Sequence, residues 1–374
     1  MQLRRSRTLV LYWDDGEFTA QDYLTRAAFA VDAPAVELLA RFDEWTDPEK
    51  VVSAYADEDY DPDSVREAIS VLVENGLLRE EGADPADETL TRAWADWGTA
   101  AQFLHFASRD AEFAVEPAER ERVAAEVTRD PAPAPFSSRP GAPRLYLPRA
   151  HPPLDAGFSE VLLGRRTHRE FAPGPVDLPT LSAVLHYTFA PMHFIDAGRY
   201  GTLMLKTSPA GGARHELEAY VAVLDVEDVA PGVYHYRAEN HSLELVAEGF
   251  DAETAERLTY RQGFGRAAFL CLLTAVFARS MYKYRDPRTY RIMTLNAGHL
   301  GQTFVLTCTA LGLGPFQTAA FADTEVDALL GVDGVAEGCV YVLGAGRPAE
   351  PAGRSGALPR GLDRAGLAPP PEGT

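Results

Sequence analysis

The chain of 374 residues predicts an α+β fold, and three observations carry that reading. Beyond residue 154 helix-like and strand-like segments follow one another without a regular βαβ rhythm, an order that suits a central sheet covered by helices. A hydrophobic content of 46% is enough for a sizeable core. Between them, RDPAPAPFSSRPGAPRLYLPRAHPP (residues 129–153) carries eight prolines in its last 23 positions, a density that blocks helix and ladder alike and marks a linker or strap. The expected organisation is an N-terminal domain with a helical extension over 1–128, the linker over 129–153, a larger domain over 154–347 and a Pro/Gly-rich tail over 348–374.

In the first domain RTLVLYW reads as a short strand. Asp32 is placed to cap a helix that begins Ala-Pro-Ala-Val-Glu-Leu-Leu. Asp63-Ser-Val-Arg-Glu repeats the device, with Ser64 as cap, Glu67 closing a capping box and Asn75-Gly76 ending the helix. A helix closing in ENGLL before a charged hairpin has the cadence of a winged helix, a fold that often reads DNA. Residues 1–90 argue against that use, because they hold 22 acids against 8 bases. Docking a peptide, or packing, suits this surface better.

In the larger domain Phe158–Leu163 and Leu178–Tyr187 read as helices, Leu217–Asp225, Gly232–Tyr236 and the following SLELV as strands, and Ala252–Tyr260 as a helix. The run AAFLCLLTAVFA, Ala267–Ala278, reads as a buried strand, Leu295–Leu313 as a long helix, and Cys339–Leu343 as a last buried strand.

Composition narrows the function classes. A net charge of −20 disfavours polyanionic partners, so no nucleic acid is expected. No apolar run has membrane-spanning length and the basic start MQLRRSR leads into too short an apolar stretch for a signal peptide. Three widely spaced cysteines give neither a disulfide frame nor a metal knuckle, and nine histidines show no metal-ligand spacing, so a reducing cytoplasm and no metal are expected.

Five stretches could carry chemistry. GRRTHREF places Arg165, Arg166, Thr167 and Arg169 within five residues, guanidinium forks that suit phosphate oxygens but also a solvated turn. TSPAGGARH holds Ser208, Pro209, Ala210, Gly211 and Gly212, where paired glycines admit close approach to a ligand. Gly312 and Gly314, in ALGLGPF, offer a helix C-cap or a backbone N–H at a ligand edge. GAG at 344–346 is no dinucleotide fingerprint, since Arg-Pro-Ala-Glu-Pro follows where a helix would have to open. MYKYRDPRTYR sets Lys283 between two tyrosines directly after the apolar run. Locally it reads equally as a wet turn and as a lysine carried to a reactive position.

The order of these stretches resembles the nitroreductase-like flavoproteins, and more closely their SagB-type branch, which oxidises azoline rings in peptides to azoles. TSPAGGARH, the Lys283-Tyr284 pair and the upstream WADWGTAAQFLHF carry the branch. The resemblance implies a central, mostly antiparallel sheet flanked by helices, FMN as cofactor and a homodimer with two FMN sites at its interface. It implies that Arg165, Thr167 and Arg169, with Arg166 adjacent, hold the phosphate, ribityl chain and pyrimidine edge. Ser208 to Gly212 would reach the flavin from the partner subunit, Gly312 and Gly314 would lie beside the isoalloxazine, and Arg347 or Arg360 would complete the phosphate contact. Ala210 stands where the family loop often has serine, which removes one hydroxyl contact.

Lys283 and Tyr284 match the family's catalytic pair. Aromatising an azoline takes a proton from Cα and a hydride from Cβ, so a base must stand beside the hydride acceptor. A lysine in water, with pKa ~10.4, is protonated; burial or the neighbouring Arg285 would lower it, and Tyr284 would orient it or relay the proton. The expected activity is oxidation of thiazoline or oxazoline in a peptide or carrier-bound precursor, with a cyclodehydratase or other modifying enzyme as partner. An FMN oxidoreductase of the same branch acting on another amino-acid-derived or small-molecule substrate, and a flavin-free peptide- or partner-binding module, are the alternatives.

Overall fold

The computed structural model describes residues 1–56, 60–83 and 86–349; Arg360 and most of the expected tail lie outside them. The chain forms two compact units, residues 1–113 with 286–288, and residues 114–285 with 289 onward. The helix Pro117–Val127 belongs to the second unit.

The first unit runs β1 (Leu3–Arg5), β2 (Leu9–Asp14), β3 (Glu17–Asp22), β4 (Ala27–Ala30), α1 (Ala33–Ala40), α2 (Pro48–Ala56), α3 (Pro62–Glu74), β5 (Leu78–Glu80), α4 (Ala86–Ala93) and α5 (Gly98–Ala107). Strands β2, β3 and β4 form an antiparallel meander, and β1 pairs with β5. Leu38, Leu39, Phe42, Val52, Ile69 and Leu72 come together in one apolar cluster, each buried side chain contributing about 1.5–3 kcal/mol. Asp32 caps α1 as expected, accepting from the Ala35 N–H. The cap of α3 is Asp61 and not Ser64, because Pro62 starts the helix one turn earlier. Ser64 instead donates its hydroxyl to Asp61 at 2.8 Å.

The second unit contains α6 (Pro117–Val127), β6 (Arg144–Tyr146), α7 (Phe158–Gly164), α8 (Leu178–Phe189), β7 (His193–Asp196), β8 (Thr202–Leu205), β9 (Leu217–Val223), β10 (Gly232–Arg237), β11 (Ser242–Glu248) and α9 (Ala252–Leu258). It continues with β12 (Phe269–Val276), α10 (Phe277–Met281), α11 (Arg288–Ala310), β13 (Gly314–Thr318), α12 (Asp323–Leu330) and β14 (Glu337–Gly346). Seven strands form one antiparallel sheet in the order β13-β14-β12-β9-β10-β11-β6. The apolar run at 267–278 is explained by alternation across this sheet. Phe269, Cys271, Leu273 and Ala275 face the cluster built by α8 and α11, while Leu270 and Leu272 face the one built by α9 and α12. A strand covered on both faces has no polar side to show. The run ends sooner than expected, because residues 277–281 turn into α10.

GAG at 344–346 is strand interior. A Cβ on Gly344 would stand 2.6 Å from Phe264 Cδ1, so the glycine lets the stacked Phe264–Phe316 pair cross β14. The proline-rich strap is held through its backbone by two buried carboxylates: Ser137 N–H donates to Glu218 at 3.0 Å, and Arg139 N–H to Glu244 at 2.8 Å. No helix among the described residues is long and apolar enough to cross a membrane.

Candidate functional site

Helix α11 organises the motif residues. Its first turn is set by Asp286-Pro287, the Asp286 carboxylate accepting from Arg288 N–H at 2.8 Å, seven residues before the expected start at Leu295. Its far end closes in a Schellman arrangement, with Leu313 N–H on the Cys308 carbonyl, Gly312 N–H on that of Thr309, and Gly312 at φ +74°. Gly312 is thus required as the C-terminal stop. Gly314 is required by a close approach, since a Cβ there would stand 2.7 Å from His168 Cγ.

The Thr207–His215 loop lies along the first half of this helix. Thr207 donates its hydroxyl to the Tyr187 carbonyl at the end of α8. Ser208, 3% exposed, shares a hydroxyl bond with Thr303, and His299 Nδ1 bonds the Pro209 carbonyl. Gly211 donates its N–H to Asn296 Oδ1 at 3.1 Å, and Asn296 donates its amide to Glu216 Oε1 at 2.8 Å. A side chain on Gly211 would run into Ile292, and one on Gly212, at φ +60°, into the Tyr284 hydroxyl.

Lys283 and Tyr284 sit in the turn between α10 and α11, their N–H groups bonded to the Ser280 carbonyl. Lys283 is half-buried, with Nζ 4.9 Å from the centre of the Tyr200 ring and 5.1 Å from that of Tyr284. Arg285 is turned to Glu126 and Asp130, at 3.9 and 4.0 Å. Lys283 and Tyr284 therefore adjoin the Ser208–Gly212 loop. A second lysine adjoins it: burial lowers the Lys206 ammonium to about 8, Glu218 opposing the shift and Arg279 adding to it.

The arginine motif lies at the other end of α11. Arg165 to Arg169 leave the end of α7 and run beside β13, where His168 N–H donates to the Pro315 carbonyl at 2.9 Å. The Arg169 guanidinium lies 4.6 Å from the centre of the Phe316 ring. Arg166 is spent locally, donating to the Leu163 and Arg165 carbonyls at 2.8 and 2.7 Å. Arg347 gives its carbonyl to Ala172 N–H, and its guanidinium lies against Gly174, where a Cβ would meet Nη1 at 2.8 Å. That places its side chain in a surface pocket with Asp225, Asp251 and Arg266.

Measured along the helix, Asn296 and Ala310 are 14 residues or roughly 21 Å apart. The loop with Lys283 and Tyr284 and the arginine strap with Gly312 and Gly314 thus form two clusters at opposite ends of α11. Asn296, His299, Thr303 and Glu216 were not foreseen as site residues. A signal for three of them existed, since they stand at i, i+3 and i+7 as a polar stripe inside an apolar helical stretch.

Residues 162–347 match the nitroreductase family. The chain is 27% identical over 341 residues to the trifolitoxin-processing protein TfxB of Rhizobium leguminosarum bv. trifolii, covering 84% of this chain and 90% of that one. It is 33% identical over 174 residues to the nitroreductase-type protein MJ1384 of Methanocaldococcus jannaschii, covering 46% of this chain and 83% of that one. It is also 28% identical over 137 residues to the microcin B17-processing protein McbC of Escherichia coli, covering 33% of this chain and 48% of that one. With the antiparallel sheet and the ordered motifs already described, these similarities lead to one conclusion: the chain belongs to the nitroreductase family, in its SagB-type branch.

Proposed function

We propose that this oxidoreductase is an FMN-dependent dehydrogenase that converts thiazoline or oxazoline rings to azoles in a peptide natural-product precursor. The observation that carries the reading is the packing of Tyr284 against Gly212, which sets Lys283 and Tyr284 beside the loop whose family counterpart reaches a flavin. Similarity to a trifolitoxin-processing protein over most of both chains supports a peptide as substrate.

The residues fit FMN. Thr167 and Arg169 are exposed and Arg165 is half-buried in one short strap, and among the described residues no carboxylate pairs with either guanidinium. Two cations and a hydroxyl in that setting suit a phosphate and the oxygens of a ribityl chain. Bound FMN would supply the two-electron acceptor that ring oxidation requires. Lys283 accepts the Cα proton, and Tyr284 fixes the position of its side-chain nitrogen through their contact. The two clusters at opposite ends of α11 become one site when a second copy brings its loop to the first copy's arginines, which is why the working form is a homodimer. Because azolines arise by dehydrative cyclisation of Cys, Ser or Thr side chains, a cyclodehydratase must precede this step and is the partner class it implies.

Purified protein is expected to be yellow and to release FMN. Lys283→Ala and Tyr284→Phe are expected to keep flavin, while Lys283→Ala lowers azoline turnover by about 10²–10⁴-fold, the usual worth of a general base. Full turnover by flavin-loaded Lys283→Ala would end the catalytic assignment. Protein that refuses FMN would leave only the binding-module reading.

A further inference from the structure

Three histidines far apart in sequence meet behind the Thr207 loop. His151 ends the proline-rich strap, His186 is in the last turn of α8, and His241 is in the β10–β11 turn. One ring nitrogen from each lies within 4.8 Å of the others. The His151 and His186 ring centres are 4.6 Å apart, and each is 5.5 Å from that of His241. We propose that His151, His186 and His241 form a site for one divalent transition-metal ion, zinc or a close relative, that fastens the strap to the domain.

Several independent features point to a cation here. His151 Nε2 is buried and has no hydrogen-bond partner, so a lone pair is shut away from water without a donor. Nitrogens bound tetrahedrally at 2.0–2.1 Å stand about 3.4 Å apart, so the observed spacing has to close by at most about 1.4 Å for one ion to touch all three. Among the described residues, no acid belongs to the cluster, and three imidazoles are a donor set that suits zinc, nickel or copper rather than calcium or magnesium. His241 already has its outer support: Nδ1 faces the Tyr236 hydroxyl at 2.7 Å and Nε2 the Ser182 hydroxyl at 2.7 Å. Ser182 donates its proton to the Pro148 carbonyl at 2.6 Å, so it keeps a partner when Nε2 turns to a metal and Nδ1–H points at Tyr236.

The position gives the ion a structural task. Tyr187, beside His186, accepts the Thr207 hydroxyl, and its ring centre is 5.7 Å from that of His151. The metal therefore ties the strap, α8 and the root of the flavin loop to one point.

The test uses full-length, tag-free, flavin-loaded protein dialysed against a chelator. Zn²⁺ is titrated calorimetrically and Co²⁺ is followed by its visible d–d bands beyond the flavin absorbance. One ion per chain with sub-micromolar Kd is expected, weakened at least about tenfold in His151→Ala and again in His186→Ala. These two are chosen because they are half-exposed, whereas replacing the buried His241 risks the fold. Chelation should also speed proteolysis within 129–153 in the parent and leave His151→Ala unchanged. Absence of stoichiometric binding, or binding that survives both substitutions, would overturn the site and leave the histidines as an aromatic packing cluster.

Discussion

Gly212 and Tyr284 illustrate how one atom can hold a site together. At φ +60° an L side chain costs about 1–2 kcal/mol, and here it would also collide with the Tyr284 hydroxyl. Gly212→Ala is therefore expected to lower azoline turnover at least tenfold, roughly 1.4 kcal/mol in transition-state terms, while the Tm falls only a few degrees. Steady-state kinetics beside a thermal melt separate the two effects, and unchanged turnover would show that the loop does not position Tyr284. Such a contact was only half legible in the sequence. Paired glycines signalled close approach, but what approached, a tyrosine 72 residues on, depends on the packing of α11. Lys283 shows the same limit. Between two tyrosines and before Arg285 it reads equally as a solvated turn, and only the neighbouring motifs chose between the readings. Asn296 was hidden for a different reason, because its worth lies in joining Gly211 to Glu216, partners 85 and 80 residues away.

Elements were most readable where a local rule fixed them. Asp32 and Asp177 cap their helices because a short acceptor precedes a proline-bearing first turn. The start of α11 was misplaced because Arg288-Thr-Tyr-Arg shows no apolar stripe, although Asp286-Pro287 carried the start signal. The strap is the least local element, since its order comes from carboxylates on other strands. Glu218 lies 2.6 Å from the buried Arg279 guanidinium and 3.1 Å from His235 Nε2. Burial works to raise its pKa, but the His235 bond and the Arg279 charge prevail and hold it at about 2. A carboxyl with a folded pKa below its unfolded value of ~4.3 gives stability that is whole above ~4.3 and lost as pH falls toward 2. Glu218→Gln leaves Arg279 buried without its counter-charge, and breaking such a pair costs about 3–5 kcal/mol. The parent's Tm should therefore fall more steeply than the variant's between pH ~4.3 and 2. Parallel curves would mean that the pair does not hold the strap. The histidine cluster belongs to this scale too: residues 151, 186 and 241 have no motif spacing, and only the fold brings them together.

For the whole molecule, the decisive feature is the distance between the two halves of the proposed flavin site. Arg165 and Arg169 adjoin β13 after the end of α11, while Lys283 and Tyr284 adjoin the loop along its first half; the helix positions that mark the two, Ala310 and Asn296, are roughly 21 Å apart. In a closed two-fold dimer each surface meets the partner's, so one copy's arginines can complete the other copy's loop. That arrangement makes a prediction no monomeric site shares. An Arg165→Ala/Arg169→Ala chain and a Lys283→Ala chain should each be nearly inactive alone. After the two are unfolded together and refolded at equal amounts, about half of the dimers are mixed. In a mixed dimer one site has arginines and lysine both intact, and the other lacks both. Activity should therefore return to about one quarter of the parent's, one good site in every four. If each site were built within a single chain, no mixture would restore it, because every chain would carry one of the two defects. The unmixed variants, refolded in the same way, set the baseline that separates restored activity from residual turnover.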